Sequence, residues 1–267
     1  MANDATGFEA DIKPMFREID RQAGRPLPTV GRQRQAAVTA EEGCREGLLA
    51  RIVAMVLGIG VGHPVRVGID GSDAAGKTTL ADELADRLQQ HRPVIRAGID
   101  GFRRPRDARP RPGETFPGGY FDDWFDNEAI VEGLLLPLGP GGDRRYTTMT
   151  FDDRADLRVV APVQVAATDA VLVFDGVFVL QPALVAYWEV GIYLHADEGE
   201  ILRRGVARDS EWFGSEEAAL HALTTNFLPG YRRYQQLHDP AAVAHVVVDN
   251  TDPQHPVVQK FTAPASE

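Results

Sequence analysis

The sequence predicts an α/β fold: a parallel sheet with helices on both faces. Two observations lead there. From residue 65 onward, short Val- and Ile-rich runs alternate with stretches whose apolar residues recur at helical spacing, the pattern of strands joined by crossover helices. One of those runs, Val171 to Phe174, is wholly apolar, as a strand buried on both faces should be. The chain of 267 residues is long enough for one large domain or one domain with an appendage. No internal repeat or low-complexity block interrupts the pattern.

The elements follow in order. Residues 1–40 differ from the rest. An amphipathic stretch, Phe8 to Ala23, leads into Gly24-Arg-Pro-Leu-Pro and a polar run, Gly31 to Gln35, which predicts a helical extension and a linker ahead of a domain over 41–267. Thr39-Ala-Glu-Glu resembles a capping box before a helix carrying Leu48, Leu49, Ile52, Val53, Val56 and Leu57. Val65 to Ile69 reads as the first strand, Lys77 to Gln90 as a helix with a Leu80, Leu84, Leu88 stripe, and Val94 to Ile99 as the second strand. An Arg-, Pro- and Gly-rich loop spans 101–126. Asn127 to Leu136 reads as a helix, and Tyr146 to Thr150 with Val159 to Val165 as a hairpin. After the Val171 strand come a short helix at Ala183 to Trp188 and a strand at Val190 to Leu194. Helices at Glu198 to Trp212 and Ser215 to Leu237 precede a last strand, Ala244 to Val248.

Composition excludes several function classes. Hydrophobic residues make up 43% and charged residues 25%, which is ordinary for a globular domain. A formal net charge of −11 disfavours a nucleic-acid-coating role, because neutralising phosphates needs a basic surface. The single cysteine, Cys44, rules out a disulfide framework or a multi-cysteine metal site and reads as structural. The seven histidines show no metal-ligand spacing. The start of the chain lacks a secretory pattern, and the most apolar stretch, Leu48 to Val61, is interrupted by Arg51 and too short for a bilayer. A cytoplasmic protein with a small-molecule partner, and no nucleic-acid or membrane partner, is the expectation. Self-association is left open.

The strongest motif lies between the first strand and its helix: Gly71-Ser72-Asp73-Ala74-Ala75-Gly76-Lys77-Thr78-Thr79. This is the G-x-x-x-x-G-K-[ST] phosphate loop. Its glycines let backbone N–H groups turn inward toward phosphate oxygens, and the following helix adds the positive end of its dipole. Lys77 reaches the β- and γ-phosphates of ATP, and the Thr78 hydroxyl suits Mg²⁺. With three lysines in the chain, no guanine-reading Asn/Thr-Lys-x-Asp motif is present, which argues against a GTPase.

Ligands of an open parallel sheet sit beyond the carboxyl ends of its strands, and two strands here end in a carboxylate. Asp175 after four apolar residues has the form of a Walker B acid, a metal-holding position. Asp100 ends the second strand and could take a proton from an attacking hydroxyl. Asp-Gly is also a turn dipeptide, so spacing alone leaves Asp100 as base or turn former. Arg103, Arg104, Arg106, Arg109 and Arg111 crowd the loop after it, either as a solvated loop or as a site for an anionic acceptor. Tyr120, Phe121, Trp124 and Phe125 are core aromatics or an acceptor pocket.

Four segments together resemble the uridine kinase/phosphoribulokinase family, to which bacterial pantothenate kinase also belongs. They are Gly68-Ile-Asp-Gly-Ser-Asp-Ala-Ala-Gly-Lys-Thr-Thr, Ile99-Asp-Gly-Phe-Arg, Val171-Leu-Val-Phe-Asp-Gly-Val-Phe-Val-Leu and Leu202-Arg-Arg-Gly-Val-Ala-Arg-Asp. The resemblance covers about Pro64 to Pro253. It implies a P-loop kinase with a helical lid that uses ATP and Mg²⁺ to phosphorylate an acceptor hydroxyl. By position it implies Asp100 as base, Asp175 with Thr78 at the metal, and Arg204 and Arg208 as lid residues, with Arg203 a weaker match. Asp100, Phe102, Arg103, Tyr120, Phe151 and Arg158 fall on the acceptor side. Phe151 stands where uridine kinases carry a tyrosine and Asp156 where they carry a histidine. A nucleoside is the first acceptor expected, then pantothenate or a sugar phosphate. A nucleotide-binding regulator without transfer to a metabolite is the rival from another class.

Overall fold

The structure is a computed structural model that describes residues 44–105, 108–109, 119–152 and 155–264. The expected helix at Phe8 to Ala23, its linker and the Thr39 capping box lie outside the described residues. Helix α1, Arg45–Leu57, is capped instead by Cys44, whose Sγ accepts from the Gly47 N–H at 3.4 Å. Strand β1 is Val65–Asp70, α2 Lys77–Leu88 and β2 Val94–Gly98, followed by a 3₁₀ turn at Ile99–Phe102. Helices α3, Gly119–Asp123, and α4, Asn127–Ile130, come next, and α4 runs on as a π-helical turn, Val131–Leu135.

The expected hairpin is present in shorter pieces. Its outer rungs are β3, Arg145–Tyr146, against β6, Gln164–Val165; its inner rungs are β4, Phe151–Asp152, against β5, Leu157–Arg158. Strands β7, Val171–Gly176, and β8, Val190–His195, flank a 3₁₀ turn at Val185–Tyr187 where a short α-helix was expected. Helix α5 is Glu198–Phe213. The single helix expected over Ser215 to Leu237 is α6, Glu216–Ala222, a π-helical turn at Leu223–Phe227, and α7, Leu228–His238. Helix α8, Pro240–Val243, precedes β9, Val246–Asp249, and a tenth strand, β10, Val257–Phe261.

The main sheet runs β10-β9-β8-β1-β7-β2. Its four pairings from β2 to β9 run parallel, and β10 returns antiparallel at the edge. The sheet is therefore parallel, as expected, except at this added edge strand. The turn after β9 is too short for a crossover helix, so the next strand can pair only antiparallel.

Both faces of the sheet are covered, as expected. Val65, Val67 and Ile69 of β1 and Val171 and Val173 of β7 face Leu48, Ile52, Leu80 and Leu84 of α1 and α2. The alternate residues Leu172 and Phe174 of β7 join Phe102, Phe178 and Tyr234 on the other face. Because side chains alternate along a strand, one apolar run supplies two cores. The parallel strands bring the ends of β1, β2 and β7 to one rim, with Gly98 opposite Asp175.

Candidate active site

The loop after β1 is shaped by backbone close to other backbone. A Cβ at Gly71 would lie 2.2 Å from the Leu194 carbonyl oxygen. Gly76 has φ +96°, and Ala74 also adopts a left-handed conformation at φ +57°. These turns curl the loop onto the start of α2. Asn250, buried after β9, donates from Nδ2 to the Ala75 carbonyl at 2.8 Å and braces the loop from outside. The Lys77 ammonium donates to the Ser72 carbonyl at 2.7 Å, which keeps it across the mouth of the curl. Open backbone, a helix N-terminus and a lysine in one concavity fit the phosphates of a nucleotide.

The cation pair of residues also meets. Thr78 Oγ1 donates to Asp175 Oδ2 at 2.7 Å, and Asp175 is buried at the end of β7. A hydroxyl oxygen backed by a carboxylate is a hard-oxygen donor set of the kind Mg²⁺ takes together with phosphates and water. Thr78 and Asp175 fit that ion. Sequence reasoning missed Arg96, whose Nη2 lies 2.7 Å from Asp175 Oδ1 while its Nε donates to Asp82 at 2.9 Å. An arginine inside the apolar run Val94 to Ile99 was the signal.

A cleft of about 1470 Å³ opens over this rim, and Lys77, Thr78, Asp175, Asp100, Arg103, Tyr120 and Arg208 all line it. Asp100 sits in the 3₁₀ turn after β2 with its side chain 70% exposed, and its Oδ1 accepts from Arg103 Nε at 3.0 Å. The Tyr120 hydroxyl donates to Asp73 Oδ2 at 2.9 Å, tying α3 to the phosphate loop. Burial and the Asp73 charge push the Tyr120 hydroxyl well above its usual range, so it stays a donor. Helices α5 and α6 wall the cleft on the far side through Arg208, Asp209, Trp212 and His221. Arg208 Nε lies 2.7 Å from Asp209. That pairing, with Asp73 and Tyr120 adding to it, raises the guanidinium above its ordinary value.

Four expected site residues lie elsewhere. Phe102 is fully buried against Phe174, because the turn that exposes Asp100 directs the next aromatic side chain into the core. Phe151 is buried under Arg109, whose guanidinium stands 5.2 Å from its ring. Arg158 is exposed on the hairpin, 4.0 Å from Asp126. Arg204 points along α5 toward the turn after β9, donating to the Thr251 carbonyl at 2.8 Å, so it fastens the helix rather than entering the cleft. Arg203 is exposed and pairs with Glu200.

Asp70 is a second feature that sequence reading passed over. It is buried at the end of β1 and accepts from Tyr234 Oη at 2.6 Å, Tyr231 Oη at 3.0 Å and the Leu180 N–H at 2.7 Å. Burial raises its carboxyl above the ordinary value despite these donors.

A phosphate-loop sequence and two strand-end acids, Asp175 and Asp100, around one cleft agree with the relatives in marking a P-loop kinase of small molecules. No family model matches the chain. Uridine-cytidine kinase B of Dictyostelium discoideum is 32% identical over 177 residues, spanning 64% of this chain and 70% of that protein. Uridine kinase of Lactobacillus johnsonii is 24% identical over 175 residues, spanning 64% and 81%. Pantothenate kinase of Sorangium cellulosum is 30% identical over 180 residues, spanning 60% and 54%. Among solved structures, a possible uridine kinase from Bacillus stearothermophilus matches with a TM-score of 0.57 at 20% identity, over 74% of this chain and 96% of that one. The chain belongs to the uridine kinase family of P-loop kinases. Among the described residues, no helix is long and apolar enough to cross a membrane.

Proposed function

We propose that the protein transfers the γ-phosphoryl group of ATP to a hydroxyl of a nucleoside, with Asp100 as the base. The observation that carries this reading is the gathering of Lys77, Thr78, Asp175, Asp100 and Arg208 around one cleft whose acceptor half is walled by Tyr120, Trp124 and Phe227. Flat aromatic walls suit a nucleobase, and the relative from Dictyostelium discoideum bears the name uridine-cytidine kinase B.

In this reading the loop from Gly71 to Thr79 holds the triphosphate, and Lys77 leaves the Ser72 carbonyl to meet the β- and γ-phosphates. Thr78 and Asp175 would hold Mg²⁺, which would supply neutralisation of phosphate charge. Asp100 accepts the proton of the acceptor hydroxyl as the hydroxyl oxygen bonds to the γ-phosphorus and the bond from that phosphorus to the β,γ-bridging oxygen breaks, releasing ADP; Arg103 orients the carboxylate through Oδ1. Arg208 turns from Asp209 toward the transferring phosphoryl oxygens and spreads their charge. Residues of α5 and α6 exclude water, which would otherwise accept the phosphoryl group. Residues 41–267 would form this kinase domain, with residues 1–40 an extension outside it.

One observation favours a second reading, an anionic acceptor such as pantothenate or a sugar phosphate. Arg103 and Arg109 both line the cleft beside Asp100, and Arg109 is braced between Phe151 at 5.2 Å and Trp124 at 5.3 Å. A guanidinium fixed in that way is suited to a carboxylate or phosphate. The test is product identification by mass spectrometry with Mg-ATP and uridine, cytidine, pantothenate or ribulose 5-phosphate offered singly. A phosphorylated nucleoside supports the first reading and a phosphorylated anion the second. ADP release that needs no acceptor contradicts both and favours a nucleotide-driven regulator.

A further inference from the structure

The reaction leaves Arg96 unexplained. It lies on β2, the edge strand of the sheet, with its side chain 28% exposed. Its guanidinium spans two carboxylates, meeting Asp82 Oδ1 through Nε at 2.9 Å and Asp175 Oδ1 through Nη2 at 2.7 Å. Its Nη1 donates to the Ala97 carbonyl at 2.6 Å, so the fork is held on three sides. Gly98 lets the carboxylate lie against the β2 backbone, since a Cβ there would stand 3.1 Å from Asp175 Oδ1. Asp175 thus has one oxygen committed to a fixed cation and the other to the Thr78 hydroxyl at 2.7 Å.

We propose that Arg96 is a positioning residue that makes cation binding at Thr78 and Asp175 depend on the nucleotide. It does so by occupying Asp175 with a competing positive charge. The inference rests on the kinase reading of that pair. A divalent ion arriving alone meets a carboxylate already neutralised by Arg96, and two cations facing one carboxylate repel each other. An ion arriving with a polyphosphate brings its own compensating charge, so Arg96 opposes it far less. Arg96 also fixes the plane of the carboxylate, leaving Oδ2 directed at Thr78.

The test is Mn²⁺ binding by electron paramagnetic resonance to the full chain without nucleotide, Mn²⁺ serving as the stand-in for Mg²⁺. Arg96→Gln removes the charge and keeps hydrogen-bonding capacity; it should bind Mn²⁺ about tenfold more tightly than the wild type. Arg96→Lys keeps the charge though not the fork, and should tighten binding less than Arg96→Gln does. Unchanged or weaker binding in Arg96→Gln overturns the proposal, and so does tightening in Arg96→Lys as large as in Arg96→Gln. Where Arg96→Gln fails to fold, Arg96→Met takes its place, with the same tightening expected and unchanged or weaker binding overturning the proposal. Asp175→Asn separates the two layers of inference. If it leaves Mn²⁺ binding untouched, the metal reading of Thr78 and Asp175 falls, and the role of Arg96 with it. If it weakens binding while Arg96→Gln does nothing, the role of Arg96 falls alone.

Discussion

Two carboxylates, buried Asp70 and arginine-paired Glu200, respond to pH in opposite directions. Asp70 is buried, and burial raises its carboxyl above the ordinary value of 3.8. The folded state therefore holds that proton more tightly than the unfolded chain. The associated stability is present below pH 3.8 and is lost as pH rises through the raised value. Replacing it by asparagine removes this dependence, so the stability of Asp70→Asn relative to wild type should rise with pH over that window in chemical denaturation. Glu200 behaves in the reverse way. Arg203 and then Arg204 hold its carboxyl down at about 2, so its contribution is present above 4.5 and lost as pH falls toward 2. The Tm difference between wild type and Glu200→Gln should shrink over that interval. Tyr231→Phe removes one donor from the buried Asp70 and should cost about 1.5–3 kcal/mol in chemical denaturation.

The meeting of Lys77, Thr78 and Asp175 at one rim was legible because the motif fixes their places relative to strand and helix. Phe102, Phe151 and Arg204 were misplaced because position in a motif does not tell which way a side chain turns. Phe102 and Phe151 turn into apolar core, and Arg204 finds backbone carbonyls nearer than the cleft. Asp70 was passed over because its partners Tyr231 and Tyr234 lie far along the chain, on α7.

At the level of elements, the phosphate loop works only if backbone can pass close to backbone. Gly71→Ala would put a methyl 2.2 Å from the Leu194 carbonyl, a neighbour fixed in β8. The substitution should destabilise the fold by about 1–3 kcal/mol, read as a lower denaturant midpoint. At Gly76 the strain of φ +96° adds to a contact 2.6 Å from Asn250 Nδ2. Gly76→Ala should weaken ATP binding by about tenfold or more in isothermal titration, because the loop must uncurl to accept it. Strands and helices of the alternating region were readable from apolar period, since each strand feeds two cores. The π-helical turns at Val131–Leu135 and Leu223–Phe227 were not, because one extra residue per turn barely alters that period. Strand β10 was missed because an edge strand is half exposed and its pattern is correspondingly faint.

For the whole molecule, the sheet supplies the coordinates of the chemistry. Parallel β1, β2 and β7 carry the phosphate loop, Asp100 and Asp175 to one rim, while α5 brings Arg208 to the opposite wall of the cleft. Arg208→Ala should lower kcat by about 10²–10³ with little change in the KM for ATP, the mark of charge stabilised mainly during transfer. The most direct test of the whole account is single-turnover transfer of labelled γ-phosphate to the accepted substrate, by wild type and by Asp100→Asn, with ATP affinity measured on both. Asp100→Asn should bind ATP within about twofold of wild type while transfer falls about 10²–10⁴-fold. Equal transfer by the two proteins, or a loss of ATP binding that matches the loss of transfer, would contradict it.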